Sequence, residues 1–339
     1  MNGPAPPAVL RSKARFGVIA AGLVGLALAT GVIGYIGFHA VFSALALLGW
    51  RGFAFLVVYA ALPASLLGAA WLVLAPRSPP RRWRIYFLAR IVRDAGGDLL
   101  PFTQLAGYVM GARTAVLQGI SATTAASTTV VDVTTEFIAQ IGFATVGIAL
   151  LTAALGARSL HGALFGAALA GLALSIVAAA GFVILQRRSS GLIGRLAERF
   201  FPALVMHVAD FGRALDGVYE RPVGVVASIV LHLGAWVANA VGVWLALRFA
   251  GLAIGLGAVL AIESLVGAVR TAGFLAPMAM GVQEAAYGLI GPVFGLPADM
   301  AVAVSLIKRA ASLAVGVPAL VIWQGVEGRR LVNRASRSS

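Results

Sequence analysis

Apolar residues run along this chain in blocks too long for the interior of a soluble helix. Six blocks could cross a bilayer as helices, at about 1.5 Å of rise per residue. They are Phe16–Ile36, Phe53–Ala75, Val130–Leu155, Gly162–Leu185, Val223–Phe249 and Asp299–Trp323. The first follows Arg11, Lys13 and Arg15, as the core of a signal peptide would. It is longer than a usual signal core and no small-x-small cleavage site follows, so it reads as a retained span. Two other stretches, Arg84–Thr129 and Leu256–Pro297, are too apolar for free loops and too broken by Gly and Pro for clean spans. They read as re-entrant hairpins or, alternatively, as one or two kinked spans each. Gln186–Pro222 differs again, with Leu192, Leu196, Phe200, Leu204, Val208, Phe211 and Leu215 at helical spacing among charges. That pattern suits an amphipathic helix on the inner leaflet or a helix packed on the bundle.

Composition narrows the class. Of 339 residues, 60% are hydrophobic and 11% charged, against roughly 25% charged in an ordinary soluble domain. This excludes a cytosolic enzyme and a disordered chain, and the absence of Cys excludes a disulfide scaffold. The fold expected is an all-α polytopic membrane helix bundle. The net charge of +14 would suit nucleic acid, but the basic residues sit in short clusters between apolar blocks, so no nucleic-acid partner is expected. Lys and Arg concentrate before residue 16, in Pro76–Arg93, in Gln186–Pro222 and after residue 325, while the alternate loops hold little more than Arg51, Arg158 and Arg248. The positive-inside rule then makes both termini and the two long loops cytoplasmic. The expected organisation is a tail over 1–15, one membrane domain over 16–325 with a linker at 187–222, and a basic tail over 326–339.

The two broken stretches resemble each other. Arg93-Asp-Ala-Gly96 precedes Pro101, and Arg270-Thr-Ala-Gly273 precedes Pro277; Gly119 then Asp132 follow the first, and Gly295 then Lys308 the second. Pro101 and Pro277, Gly119 and Gly295, and Asp132 and Lys308 keep a common offset. Halves at about 53–155 and 223–323, inverted in the membrane by the charge count, form a common transporter architecture in which broken helices build the binding site. Pro101, Gly107, Pro277 and Gly281 are the expected helix breaks.

Ionisable groups within spans are costly, so they single out candidates. Thr124, Thr128, Asp132, Glu136 and Gln140 recur every fourth residue, and Ser305, Lys308, Arg309 and Ser312 lie at equivalent depth in the last span. Asp132 or Glu136 is expected to pair with Lys308 or Arg309 across the pseudo-twofold axis, as a structural ion pair or as a gate. Arg93, Asp94, Asp98 and Gln104 surround the first break, and Glu263, Arg270, Gln283 and Glu284 the second. These could contact an anionic group such as a phosphate, or satisfy backbone freed by the prolines. His39, His161, His207 and His232 lack paired ligand spacing, so no metal or cofactor is expected. No HExxH, GxSxG or P-loop occurs, so no enzyme is expected. Several tryptophans near span ends suit interfacial anchoring.

Leu275-Ala-Pro277-Met-Ala-Met-Gly281-Val-Gln-Glu284, then Gly295-Leu-Pro, then Lys308-Arg309, resembles the transmembrane-region family of lysylphosphatidylglycerol synthases. Leu100-Pro101, Gly107, Arg113, Gly119 and Val131-Asp132 resemble that family's first-half motif. The likeness covers roughly residues 53–325. It departs at Val133, where the family often has Arg, and in having fewer glycines after Pro277. The resemblance implies a flippase-like, lipid-handling protein of the bacterial inner membrane, with a hopanoid or phospholipid as partner and lipid biosynthetic enzymes as possible associates. Val131-Asp-Val-Thr-Thr-Glu136 looks like the branch associated with hopanoid biosynthesis. With no aminoacyltransferase domain after residue 325, lysyl transfer is not expected. The alternatives are a non-transporting scaffold or lipid-binding subunit, and a membrane-embedded lipid-modifying enzyme.

Overall fold

A computed structural model describes residues 38–77, 82–99, 103–155, 205–272 and 281–336, with scattered positions between 166 and 184. Every regular element among them is helical: α1 (Phe38–Tyr59), α2 (Ala61–Leu74), α3 (Trp83–Leu99), α4 (Thr103–Leu117), α5 (Ala122–Leu155), α6 (Val205–Tyr219), α7 (Pro222–Phe249), α8 (Leu256–Ala272), α9 (Val282–Ile290), a 3-10 turn (Gly291–Phe294) and α10 (Ala298–Ser336). Four helical stretches among the described residues are long and apolar enough to cross a membrane: Leu48–Leu74, Ala122–Ala154, Pro222–Phe249 and Ala298–Gly328. They correspond to the second, third, fifth and sixth expected spans. The first expected span lies outside the described residues. So does most of the fourth, whose described positions, from Gly166 to Ile184, are helical. Residues 187–204 of the linker also lie outside.

α5 begins eight residues before the apolar block that announced it. Ser121 caps it, its Oγ accepting the Thr124 N–H at 3.1 Å, one of the orphan donors of a helix start. The hydroxyls that dilute the apolar pattern of residues 121–129 are absorbed by the helix itself. Thr128 donates to the Thr124 carbonyl at 2.7 Å and Thr129 to the Ala125 carbonyl at 2.6 Å, the i−4 back-bonding open to Thr in a helix. α7 shows how an apolar solvent turns a helix inside out. Val223, Val226, Val230 and Val237 are exposed along one stripe, while Ser228 and His232 are buried on the opposite side.

The first broken stretch is a helical hairpin. Its arms run antiparallel, with Gly97 against Gly107 and Arg93 against Gly111. Gly107 is therefore not a break, as the sequence suggested. It lies inside α4, and a Cβ there would meet the Gly97 nitrogen at 2.7 Å, so glycine serves close backbone approach. Pro101 and Pro277 lie outside the described residues. Gly281 does interrupt the backbone, with φ 77° just before α9.

Contacts between elements are reciprocal. α2 packs on α7, α3 packs on α10 as well as α4, and α8 packs on α5 as well as α9. Gly119 and Gly295 both take positive φ, 97° and 84°, in the turns before α5 and α10. The largest core cluster joins Ile148 and Leu151 of α5 to Leu247 of α7, Ile262 of α8 and Tyr287 of α9. The described part of the linker packs on the bundle: Leu215 and Val218 of α6 bury against Leu74 and Val131. Trp71 is not an interfacial anchor but a fully buried core residue, with its Nε1 donating to Thr128 Oγ1 at 3.0 Å.

Candidate functional site

The acidic face of α5 turns inward. Asp132 is fully buried, and Glu136, one turn on, is partly buried, its side chain 18% exposed. Charges at that depth are tolerable only when paired. Their partners are Arg90 and Arg93 on α3, themselves 3% and 4% exposed. Arg90 donates to Glu136 Oε1 at 2.5 Å, to Glu136 Oε2 at 3.1 Å and to Asp132 Oδ2 at 3.3 Å. Arg93 donates to Asp132 Oδ2 and, at 2.5 Å, to Glu136 Oε2, and its guanidinium lies 4.6 Å from the centre of the Tyr108 ring. Asp94 completes the group, accepting from Arg90 Nε at 2.9 Å. Forked guanidiniums suit such shared carboxylates because their donors are fixed in one plane.

α7 closes the other side. Ser228 Oγ lies 2.9 Å from Thr135 Oγ1, His232 Nδ1 lies 2.9 Å from the Ser228 carbonyl oxygen, and His232 Nε2 faces Asp132 Oδ1 at 3.5 Å. Ligand atoms of Asp132, Glu136 and His232 lie within 4.8 Å of one another, a spacing that would suit a metal ion. The carboxylates, however, already accept from two guanidiniums, which leaves Asp132 Oδ1 as the carboxylate oxygen without a hydrogen bond.

A second cluster lies in the other half. Lys308 of α10 donates to Glu263 Oε2 at 2.5 Å and to the Tyr287 hydroxyl at 2.9 Å, and that hydroxyl donates to Glu263 Oε1. Arg309 pairs with Glu284 at 2.7 Å, and Glu284 also accepts the Gly281 N–H at 3.0 Å. Gln283 Nε2 donates to Ser305 Oγ at 2.8 Å. Arg270 reaches Asp98 at 3.3 Å.

The pairing expected across the axis is therefore not the one formed. Asp132 and Glu136 bind Arg90 and Arg93, while Lys308 and Arg309 bind Glu263 and Glu284. Arg93 and Arg270 are not equivalent by helix position either. The matching pair is Arg90 and Glu263, each the eighth residue of a 17-residue helix, facing Asp132 and Lys308, each the eleventh of its long helix. The two clusters have the same layout with opposite signs.

Arg90 and His232 escaped sequence reading as site residues. Arg90 was counted with Arg93 as a loop charge, although the two lie on one helical face. His232 was judged only against metal spacing, although an ionisable residue in a span is a candidate in its own right.

The model of the family described as the lysylphosphatidylglycerol synthase TM region matches residues 22–319. The chain belongs to that family. No curated protein and no solved structure matches it. Membership makes it an integral membrane protein of a lipid-related family, and the match takes in both charged clusters. The resemblance seen in the Pro277–Gly281–Glu284 and Lys308–Arg309 motifs is thus shown. In the family member described here, Glu284, Lys308 and Arg309 are engaged in ion pairs.

Proposed function

We propose that this protein moves a lipid, or holds one for transfer, by admitting its polar head group between two inverted halves. Family membership carries the reading. The reciprocal packing of α3 on α10 and α8 on α5, with α2 against α7, supports the inverted repeat, since a twofold relation makes each contact occur twice. Buried charges on broken segments support a polar pathway at membrane depth. A hopanoid or a glycerophospholipid is the substrate. The protein resides in the bacterial inner membrane with both termini cytoplasmic, works beside lipid biosynthetic enzymes, and catalyses no covalent step.

The test is reconstitution into liposomes carrying a head-group-labelled phospholipid or hopanoid. A quencher added outside should reach the inner-leaflet label faster than in protein-free liposomes. An equal rate for every lipid tried would refute transport. The ion pairing among Arg90, Arg93, Asp132 and Glu136 favours a second reading, a lipid-binding scaffold. It would be supported by lipid retained through purification without movement between leaflets.

A further inference from the structure

The Asp132–His232 contact contains a hydrogen-bonding mismatch. His232 is fully buried, and its Nδ1 lies 2.9 Å from the Ser228 carbonyl oxygen. A carbonyl only accepts, and Ser228 Oγ, the other neighbour of Nδ1, is farther at 3.4 Å and lies 2.9 Å from Thr135 Oγ1, so the geometry favours a hydrogen on Nδ1. In a neutral ring Nε2 then holds a lone pair, and it faces Asp132 Oδ1 at 3.5 Å. Neither atom has a hydrogen-bond partner. Two acceptors aimed at each other in a buried site are unfavourable, and a single proton removes the conflict.

The charges around Asp132 are unbalanced in the same direction. Two guanidiniums, Arg90 and Arg93, face three carboxylates, Asp94, Asp132 and Glu136. The cluster carries one negative charge in excess, and a proton on His232 cancels it. Among the described side chains, other charged groups on elements packed against α7 are exposed, as Asp216 of α6 and Asp299 of α10 are, or engaged. Glu263 and Arg270 of α8 bind Lys308 and Asp98, and Arg309 of α10 binds Glu284. Asp210 and Arg213 of α6 bind each other, Arg51 of α1 lies on the Trp50 ring, and α2 has no ionisable residue.

We infer that α5 and α7 form a proton-binding site, with the proton held between His232 Nε2 and Asp132 Oδ1. A cavity lies one helical turn away. Its volume is about 380 Å³, and it is lined by Arg77, Thr124, Ser127, Thr128 and Arg221. Thr128, on its wall, lies one helical turn, about 6 Å of rise, from Asp132, and the cavity is roomy enough for water. The site joins the two halves, because α5 belongs to one and α7 to the other. On the reading of this protein as a lipid translocase, the proton is its coupling ion; the site itself does not depend on that reading.

Nitrogen-15 NMR of histidine-labelled protein in phospholipid nanodiscs at pH 7 tests it. The chain has four histidines, and His232→Asn identifies the signal of interest. The expected result is a ring protonated on both nitrogens in the native protein, reduced to one proton in Asp132→Asn. A native His232 with bare Nε2 overturns the proposal, and so does a doubly protonated ring that Asp132→Asn leaves unchanged. The native spectrum is decisive even where that variant fails to fold. Liposomes that show no lipid movement while His232 is doubly protonated refute the translocase reading and leave the site standing.

Discussion

The side chains that define this molecule are two arginines and two carboxylates removed from water together. Breaking such a group from one side leaves an unpaired charge, which costs about 3–5 kcal/mol. Arg93→Ala should therefore lower thermal stability in detergent steeply. The double variant Arg93→Ala with Asp132→Ala should lose less than the two single losses combined, because the orphaned charge is gone. Additive losses would show that the pair is not coupled. The acidic stripe at Asp132 and Glu136 was legible, because charged residues every fourth position within an apolar block have no other explanation. Their partners were not. Periodicity shows which face a residue occupies but not which neighbour that face meets, and both Lys308 and Arg90 satisfied the charge argument. His232 was hidden for a different reason: its role comes from a tautomer fixed by Ser228 and a facing carboxylate, neither of which leaves a sequence pattern.

Among helices, the long apolar ones were readable because lipid demands about 20 apolar residues whatever the fold. The start of α5 lay outside the expected span because Ser and Thr dilute the apolar block, although Thr124 and Thr128 continue the four-residue spacing of Asp132 and Glu136. Gly107 was misread because a glycine that breaks a helix and one that lets two helices touch look alike in sequence. Gly107→Leu should separate α3 from α4 and expose the arginine cluster, lowering yield and thermal stability, whereas Gly142→Leu, in open space on α5, should be tolerated. Size-exclusion profiles and melting of the two variants check this; equal behaviour would contradict close packing at Gly107. Ser121→Ala should cost about 1 kcal/mol through the lost cap, read as a modest drop in melting temperature.

For the molecule as a whole, the reciprocal contacts make the halves mutually dependent. Thr135 and Ser228, whose hydroxyls meet at 2.9 Å, mark the seam. The chain has no native Cys, so Thr135→Cys with Ser228→Cys should cross-link under mild oxidation without background. Failure of that pair to link in the membrane would argue against the α5–α7 contact. Gly119 and Gly295, which share the offset read in sequence, both take positive φ, a conformation that few residues besides glycine tolerate. The exchange of signs between Arg90–Asp132 and Glu263–Lys308 could be seen only once the helices were placed.

That exchange has a consequence for biogenesis. The α3–α4 hairpin touches both α5 and α10, so while the chain is being inserted it could settle into the wrong cradle. Placing Arg90 beside Lys308, or Glu263 beside Asp132, would set like charges against each other with little water to soften the repulsion. Opposite polarity thus acts as a lock-and-key between otherwise similar modules, and a variant with both halves given the same polarity should populate misassembled forms.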